Sequence, residues 1–276
     1  MTPTTTSTVV DQAADRLLRA ATTSRPCSPV RDLIGSDDLT AAYAVQARLT
    51  ALRLASGRRI VGRKIGLTSP AVQAQLGVDR PDFGVLFDDM VFDDGAVLPL
   101  NRLLQPKIEA EVAFVLGRDL ADRELDLDAV RAAVEYAVAA LEIVDSRVSG
   151  WDITFADTVA DNASSGLVVL GSVRRTLDEL EPSEVVMAMS IDGEERSTGT
   201  GRDCLGDPLN ALLWLATTAR DLGQPLEAGQ VILSGALGPM AAVEAGSRVV
   251  ADVSGLGTVT ARFDQGEDVN SLGGGL

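Results

Sequence analysis

Glu109 and Glu111 stand two residues apart inside Pro106-Lys107-Ile108-Glu109-Ala110-Glu111-Val112-Ala113-Phe114-Val115-Leu116, an apolar run in which unpaired charge is costly. Read with the strand period of two, both acids share a face with Ala113 and Val115, while Ala110, Val112, Phe114 and Leu116 form the other. Neither face reads as solvent-exposed, so both carboxylates are expected to be buried. A buried carboxylate needs a cation or several hydrogen bonds, and only Lys107 lies near in sequence, so a bound metal is the natural partner. Oxygen-only ligands suit a hard divalent ion such as Mg²⁺ or Mn²⁺ rather than Zn²⁺. An alternating acidic strand can also be a wet sheet edge. A second apolar run, Ala137 to Val144, favours the metal, because Glu142 is embedded in it as a third acid. Three carboxylates with waters or substrate oxygens would fill a six-coordinate shell and leave the open positions that catalysis requires.

Lys64 lies in Val61-Gly62-Arg63-Lys64-Ile65-Gly66-Leu67-Thr68, between two glycines on a short strand. It could be a snorkelling surface lysine, but the glycines point to close approach by a ligand or another strand. Asp82, in Arg80-Pro81-Asp82-Phe83-Gly84-Val85-Leu86-Phe87, could simply cap a turn. Asp161-Asn162-Ala163-Ser164-Ser165-Gly166 reads as a polar turn before an apolar strand. Gly235-Ala236-Leu237-Gly238 and Gly255-Leu256-Gly257-Thr258 lack the spacing and lysine of a nucleotide loop and read as tight turns, the first with exposed amides that could receive an oxyanion.

Composition narrows the chemistry. The chain has 276 residues and no histidine, so triad catalysis is disfavoured and acid–base work falls to Asp, Glu, Lys, Tyr or water. Twenty-four basic against 40 acidic residues give a formal charge of −16 and a pI near 4.4, which disfavours nucleic acid and anionic membranes as partners. With 46% hydrophobic residues and a mean hydropathy of +0.15, the chain can bury a large core. It shows no secretion-type start and no apolar run of about eighteen residues, so a cytoplasmic protein is expected. Cys27 and Cys204 are isolated and are expected to be reduced thiols.

The elements that must position these residues follow from periodicity. Helical spacing runs from Val9 to about Thr22 and from Leu39 to about Ala55, the second behind a Ser36-Asp37-Asp38 cap. Between Arg59 and Phe263 short β-branched runs dominate: Val112–Leu116, Val138–Val144, Gly166–Leu170, Val185–Ile191, Val231–Leu233 and Val249–Val253. Two helices interrupt them, Asp126 to about Val138, and Leu209–Leu222 behind Asp207 and Pro208 and ended by Gly223. Met1–Ser7 and Gln265–Leu276 read as mobile tails without chemistry. The expected organisation is a helical N-terminal region at 1–60, a β-rich catalytic core at 61–267 and a flexible tail at 268–276, with no internal repeat.

Taken together, these segments resemble the 2-oxopent-4-enoate (2-hydroxypenta-2,4-dienoate) hydratases of the fumarylacetoacetase-like superfamily, which act in bacterial meta-cleavage degradation of aromatic compounds. The resemblance rests on Gly62–Thr68, Gln73-Ala74-Gln75-Leu76-Gly77-Val78, Pro81–Gly84, Leu104–Glu111, Ala140–Arg147, Asp161–Ser164, Cys204–Asn210 and Gly235–Met240. It implies an α+β fold with a mixed β-roll core and a helical N-terminal region, a divalent metal on Glu109, Glu111 and Glu142, and a homo-oligomer. By the same carry-over, Lys64 and Asp82 line the pocket as acid–base groups, with Ser164, Gly235, Ala236 and Leu237 as further substrate contacts. The implied reaction hydrates 2-hydroxypenta-2,4-dienoate, through a 2-oxo-3-enoate, to 4-hydroxy-2-oxopentanoate, and a complex with a downstream aldolase or a decarboxylase would fit it. A 4-oxalocrotonate-type decarboxylase, a hydratase of dicarboxylic 2-oxo-enoates and a non-catalytic partner subunit are the rival readings. A carbon–carbon hydrolase of the superfamily would be expected to use a His-assisted water, which this chain cannot supply.

Overall fold

A computed structural model describes residues 5–69, 73 and 78–265. The N-terminal part is helical: α1 (Thr5–Thr23), the short α2 (Arg31–Ile34) and α3 (Leu39–Ala55). The start of α3 follows from its cap, since the Asp38 carboxylate accepts the Ala41 amide and satisfies a first-turn donor. Helix α1 already includes Thr5–Ser7, so the tail expected at Met1–Ser7 gives way to helix from Thr5. Residues 1–4, residues 266–276 and most of the Gln73–Val78 motif lie outside the described residues.

The strands follow as β1 (Ile60–Gly66), β2 (Asp82–Phe87), β3 (Val91–Asp93), β4 (Ala96–Leu98) and β5 (Lys107–Leu116). Then come α4 (Leu127–Ala133), β6 (Val134–Val144), α5 (Phe155–Ala160), β7 (Ser165–Leu170), β8 (Val186–Ile191) and β9 (Glu194–Thr200). The chain continues through α6 (Pro208–Asp221), β10 (Val231–Ala236), β11 (Ala241–Ala242), β12 (Arg248–Val253) and β13 (Gly257–Phe263). Helix α4 stops at Ala133, short of the expected Val138. The following residues form a long buried strand whose ladder with β5 satisfies its backbone, so tertiary pairing overrides helical periodicity. Helix α5 was not expected at all. By contrast α6 begins where Asp207 accepts the Leu209 amide and Pro208 occupies the first turn.

Two mixed sheets result. The larger has the order β2-β1-β10-β5-β6-β7-β3, with β11 added against β5, and is antiparallel except for β1–β10 and β3–β7. The smaller has the order β4-β13-β12-β8-β9. The main core lies between them and under α4 and α6, with Phe114, Leu141, Leu212, Met187, Val249 and Phe263 fully buried. A second core joins α1–α3 to α5 through Leu17, Val45, Phe155 and Val159. A third fills the other face of the large sheet with Val85, Leu86, Met90, Ala113, Val138 and Leu233. The carboxylates lie on this last face.

Candidate metal and active site

Strand pairing assembles the site from residues far apart in sequence. In the β5–β6 ladder Glu109 is opposite Glu142 and Glu111 is opposite Ala140, so two acids meet across the strands and a methyl group leaves room beside the third. Across β10, Ala113 is level with Leu233 and Leu233 with Lys64, which puts Lys64 on the same face. One carboxylate oxygen from each of Glu109, Glu111 and Glu142 lies within 4.8 Å of the others. Glu111 and Glu142 are buried, whereas Glu109, nearer the end of β5, is half-buried rather than enclosed as the alternation implied.

The cation beside them is Lys64, whose Nζ lies 3.3 Å from Glu142 Oε1. Lys107, the neighbour in sequence, instead places its ammonium 4.3 Å from the centre of the Trp151 ring. Burial alone would lower the Lys64 pKa, but the combined field of Glu142, Asp82, Glu109 and Glu111 drives it well above the ordinary lysine value. Burial, and then repulsion from Glu142, raise Glu109 to about 7. Burial raises Glu111 well above the ordinary glutamate value, with Glu142 and Glu109 adding to it, and Glu142 rises for the same first cause against the pull of Lys64. One lysine therefore does not neutralise three acids.

Hydrogen bonding gives the same result. Glu111 Oε2 accepts the Gly235 amide at 2.7 Å, while Glu111 Oε1 and both oxygens of Glu142 are buried without a hydrogen bond among the described residues. Buried orphan oxygens of one sign, converging on one point and all of hard-donor type, fit a divalent metal ion. The cluster can hold such an ion through Glu109, Glu111 and Glu142.

Asp82 opens β2 as a buried strand residue and is opposite Gly66 in the β1–β2 ladder. A Cβ added at Gly66 would sit 2.2 Å from Asp82 Oδ1 and 3.2 Å from Lys64 Nζ, and one added at Gly62 would sit 1.9 Å from the Val231 carbonyl oxygen. Both flanking glycines of Lys64 are thus explained, one by the Asp82 carboxylate and one by a neighbouring strand. Burial raises the Asp82 pKa against the pull of Lys64 and Thr158, and its Oδ1 has no hydrogen-bond partner among the described residues. Ser164 is buried, with Oγ 3.3 Å from Thr158 Oγ1, and Thr158 donates to Asp82 Oδ2 at 3.5 Å.

The segment at Gly235 is not a tight turn: Gly235 and Ala236 end β10 and Leu237 follows them. The Gly235 amide is given to Glu111 and the Leu237 amide to the Ala110 carbonyl, so those two do not point into open space for an oxyanion. Gly235 has φ +113° and faces Thr68 so closely that a Cβ would sit 2.3 Å from Thr68 Oγ1. Cys27 and Cys204 are free thiols.

Sequence reasoning missed Thr158, Gln46 and α5, which carries Thr158. The available signal was Thr154-Phe155-Ala156-Asp157, a capping box in which the Thr154 hydroxyl accepts the Asp157 amide and Asp157 accepts the Thr154 amide. Gln46 carried no local signal.

Residues 59–264 match the family model for fumarylacetoacetate (FAA) hydrolase, C-terminal. The chain is 53% identical to 2-keto-4-pentenoate hydratase 2 of Dechloromonas aromatica over 94% of its own length and 99% of that protein's. It is 52% identical to 2-keto-4-pentenoate hydratase of Paraburkholderia xenovorans over 93% of its own length and 96% of that protein's. Among solved structures, 4-oxalocrotonate decarboxylase from Pseudomonas putida G7, complexed with magnesium and adipate, superposes with a TM-score of 0.89 at 32% identity, covering 93% of this chain and 97% of that one. This chain therefore belongs to the fumarylacetoacetate hydrolase C-terminal family, within its group of 2-keto-4-pentenoate hydratases and their relatives.

Proposed function

We propose that this protein is a hydro-lyase that adds water to 2-hydroxypenta-2,4-dienoate to give 4-hydroxy-2-oxopentanoate, in the meta-cleavage breakdown of aromatic compounds. The observation that carries the reading is the set of three carboxylates facing one buried lysine, with Asp82 across the strand, in a chain about half identical to 2-keto-4-pentenoate hydratases. Glu109, Glu111 and Glu142 would hold a divalent ion, Mg²⁺ or Mn²⁺, which would supply electrophilic stabilisation of negative charge developing on the substrate.

The chain's own residues do the rest. Protonation at C5 with loss of the 2-hydroxyl proton gives a 2-oxo-3-enoate, whose C4 accepts water while C3 gains a proton. Lys64, held as an ammonium by its acidic neighbours, donates hydrogen bonds to oxygen as negative charge develops there. Asp82, whose raised pKa lets it hold and release a proton, acts as the acid–base group. Ser164 and the Gly235–Leu237 segment border the substrate.

A homo-oligomeric, cytoplasmic enzyme divided at about residue 60 into a helical region and a catalytic core, with a complex to a downstream aldolase or a decarboxylase, belongs to the same proposal. Among the described residues no helix is long and apolar enough to cross a membrane. The rival of a 2-oxo-3-enoate decarboxylase is favoured by the close superposition on 4-oxalocrotonate decarboxylase, but at 32% identity against 53% and 52% for the hydratases.

The test follows the ultraviolet absorbance of freshly generated 2-hydroxypenta-2,4-dienoate with purified protein, with Mg²⁺, with Mn²⁺ and with a chelator. Metal-dependent loss of the diene with a product heavier by one water is expected. An unchanged diene, with carbon dioxide released from a dicarboxylic 2-oxo-enoate, would replace the hydratase by the decarboxylase.

A further inference from the structure

Thr158 lies on α5, a helix whose every residue is buried, and its hydroxyl is the only side-chain hydrogen-bond partner of Asp82 among the described residues. The same hydroxyl lies 3.3 Å from Ser164 Oγ, so Asp82, Thr158 and Ser164 form one buried chain. We propose that Thr158 is a positioning residue that couples the protonation of Asp82 to the donor direction of the Ser164 hydroxyl. The proposal rests on the hydratase reading and deepens it.

The argument is one of donors and acceptors. Each hydroxyl has a single proton to give. With Asp82 ionised, Thr158 donates to Asp82 Oδ2, Ser164 donates to Thr158, and Ser164 presents lone pairs to the site. With Asp82 protonated on Oδ2, Asp82 donates to Thr158, Thr158 turns to donate to Ser164, and the Ser164 proton is free to point into the site. No covalent bond to either hydroxyl changes; both rotate. Ser164 then accepts a hydrogen bond while Asp82 is the base and donates one while Asp82 is the acid, matching the needs of a reaction that takes a proton from one atom and returns it to another.

The surroundings hold this chain in place. The buried Gln46 on α3 donates both amide protons, to the Phe83 carbonyl at 2.9 Å and to the Val159 carbonyl at 3.0 Å. Phe83 follows Asp82 and Val159 follows Thr158, so one side chain ties the two backbones together beside the pair. On the other side Asn162, Ala163 and Ser164 all have left-handed φ of 55°, 51° and 54°, a costly run for non-glycine residues. Asn162 clamps it to β2 by accepting the Val85 amide at 2.8 Å and donating to the Val85 carbonyl at 2.9 Å. Arg147 closes it by donating to the Asp161 carboxylate and to the Asp161 and Ser165 carbonyls. The two hydroxyl contacts, at 3.3 and 3.5 Å, are long, as catalytic hydrogen bonds often are before substrate draws them in.

Steady-state kinetics on 2-hydroxypenta-2,4-dienoate with Mn²⁺, for wild type, Thr158→Val and Thr158→Ser, tests the coupling. Thr158→Val keeps the volume and removes the hydroxyl; kcat should fall by roughly tenfold to a hundredfold, part of what acid–base catalysis contributes. KM and Mn²⁺ affinity should stay within about twofold, and Thr158→Ser should restore kcat to within about threefold. A kcat unchanged in Thr158→Val, or a Thr158→Ser as impaired as Thr158→Val, would overturn the proposal, the second by making the role one of packing. If Thr158→Val does not fold, Thr158→Ala against Thr158→Ser gives the same comparison. Absence of turnover in the wild type would sink the hydratase reading, and the coupling with it, whereas wild-type turnover beside an unaffected Thr158→Val sinks the coupling alone.

Discussion

At Glu111 one oxygen takes the Gly235 amide and the other is buried without a hydrogen bond among the described residues, so this carboxylate gains from a cation and loses without one. Glu111→Gln should lower divalent-metal affinity and metal-dependent turnover by roughly a hundredfold or more, since it alters a ligand itself and not merely the groups around it. Without metal the same variant should melt no lower than wild type, because a neutral amide replaces a carboxylate whose charged form burial penalises. Mn²⁺ titration and thermal scans read the two effects, and an unchanged Mn²⁺ affinity would remove Glu111 from the ligand set. Lys64 is the converse case. Lys64→Met leaves the acids without their ammonium and should destabilise the metal-free protein by about 3 kcal/mol at pH 8. The loss should be smaller at pH 5, where Glu109, raised to about 7 chiefly by burial, is protonated and one fewer charge is left unpaired; denaturant titration at the two pH values checks this.

At the scale of elements, β1 is held against two different kinds of neighbour. Gly62 approaches the backbone of β10, which cannot step aside, so Gly62→Ala should cost about 2 kcal/mol or more in urea unfolding. Gly66 approaches the Asp82 side chain, which can rotate away, so Gly66→Ala should cost kcat more than stability by displacing the acid–base group. If Gly66→Ala keeps full kcat, the position of Asp82 is not critical. Helix α5 is joined to the N-terminal helices by Asp157, which is fully buried and accepts the Val30 and Arg31 amides and the Arg31 guanidinium. The helical region therefore supports the site from behind, through α5.

For the whole molecule, stability and metal binding are linked through protons. Glu109 titrates near 7 against an ordinary 4.5, and Asp161, raised chiefly by burial, near 6 against 3.8. Between the ordinary and raised values the folded state binds more protons than the unfolded chain, so stability falls as pH rises through that window. Below it both states are protonated and the effect is constant. Lys64 is raised from 10.5, so its contribution does not vary across this range. Chelator-treated protein should thus show a melting temperature that drops from about pH 5 to about pH 7. Saturating Mg²⁺ should remove the part of the drop due to the acidic cluster, and Mg²⁺ affinity should rise with pH because binding displaces protons. A flat melting profile in chelator would mean that the carboxylates are not buried charges.

What could be read from the chain without its structure was whatever local rules decide. Asp38 and the Asp207-Pro208 pair mark helix starts because caps act within a turn, and period-two alternation puts Glu109 and Glu111 on one face because a strand leaves no other choice. Pairing and burial were decided only by the tertiary structure. Lys64 rather than Lys107 became the counter-ion because β10 brings β1 level with β5. Helix α4 ended at Ala133 because β6 had a partner strand, and the Gly235 amide was used inside the protein because β10 runs beside Glu111. Thr158 lay out of reach for the same reason. A threonine in a short apolar helix has no local signature, and its meaning comes from Asp82 and Ser164, which folding brings to it.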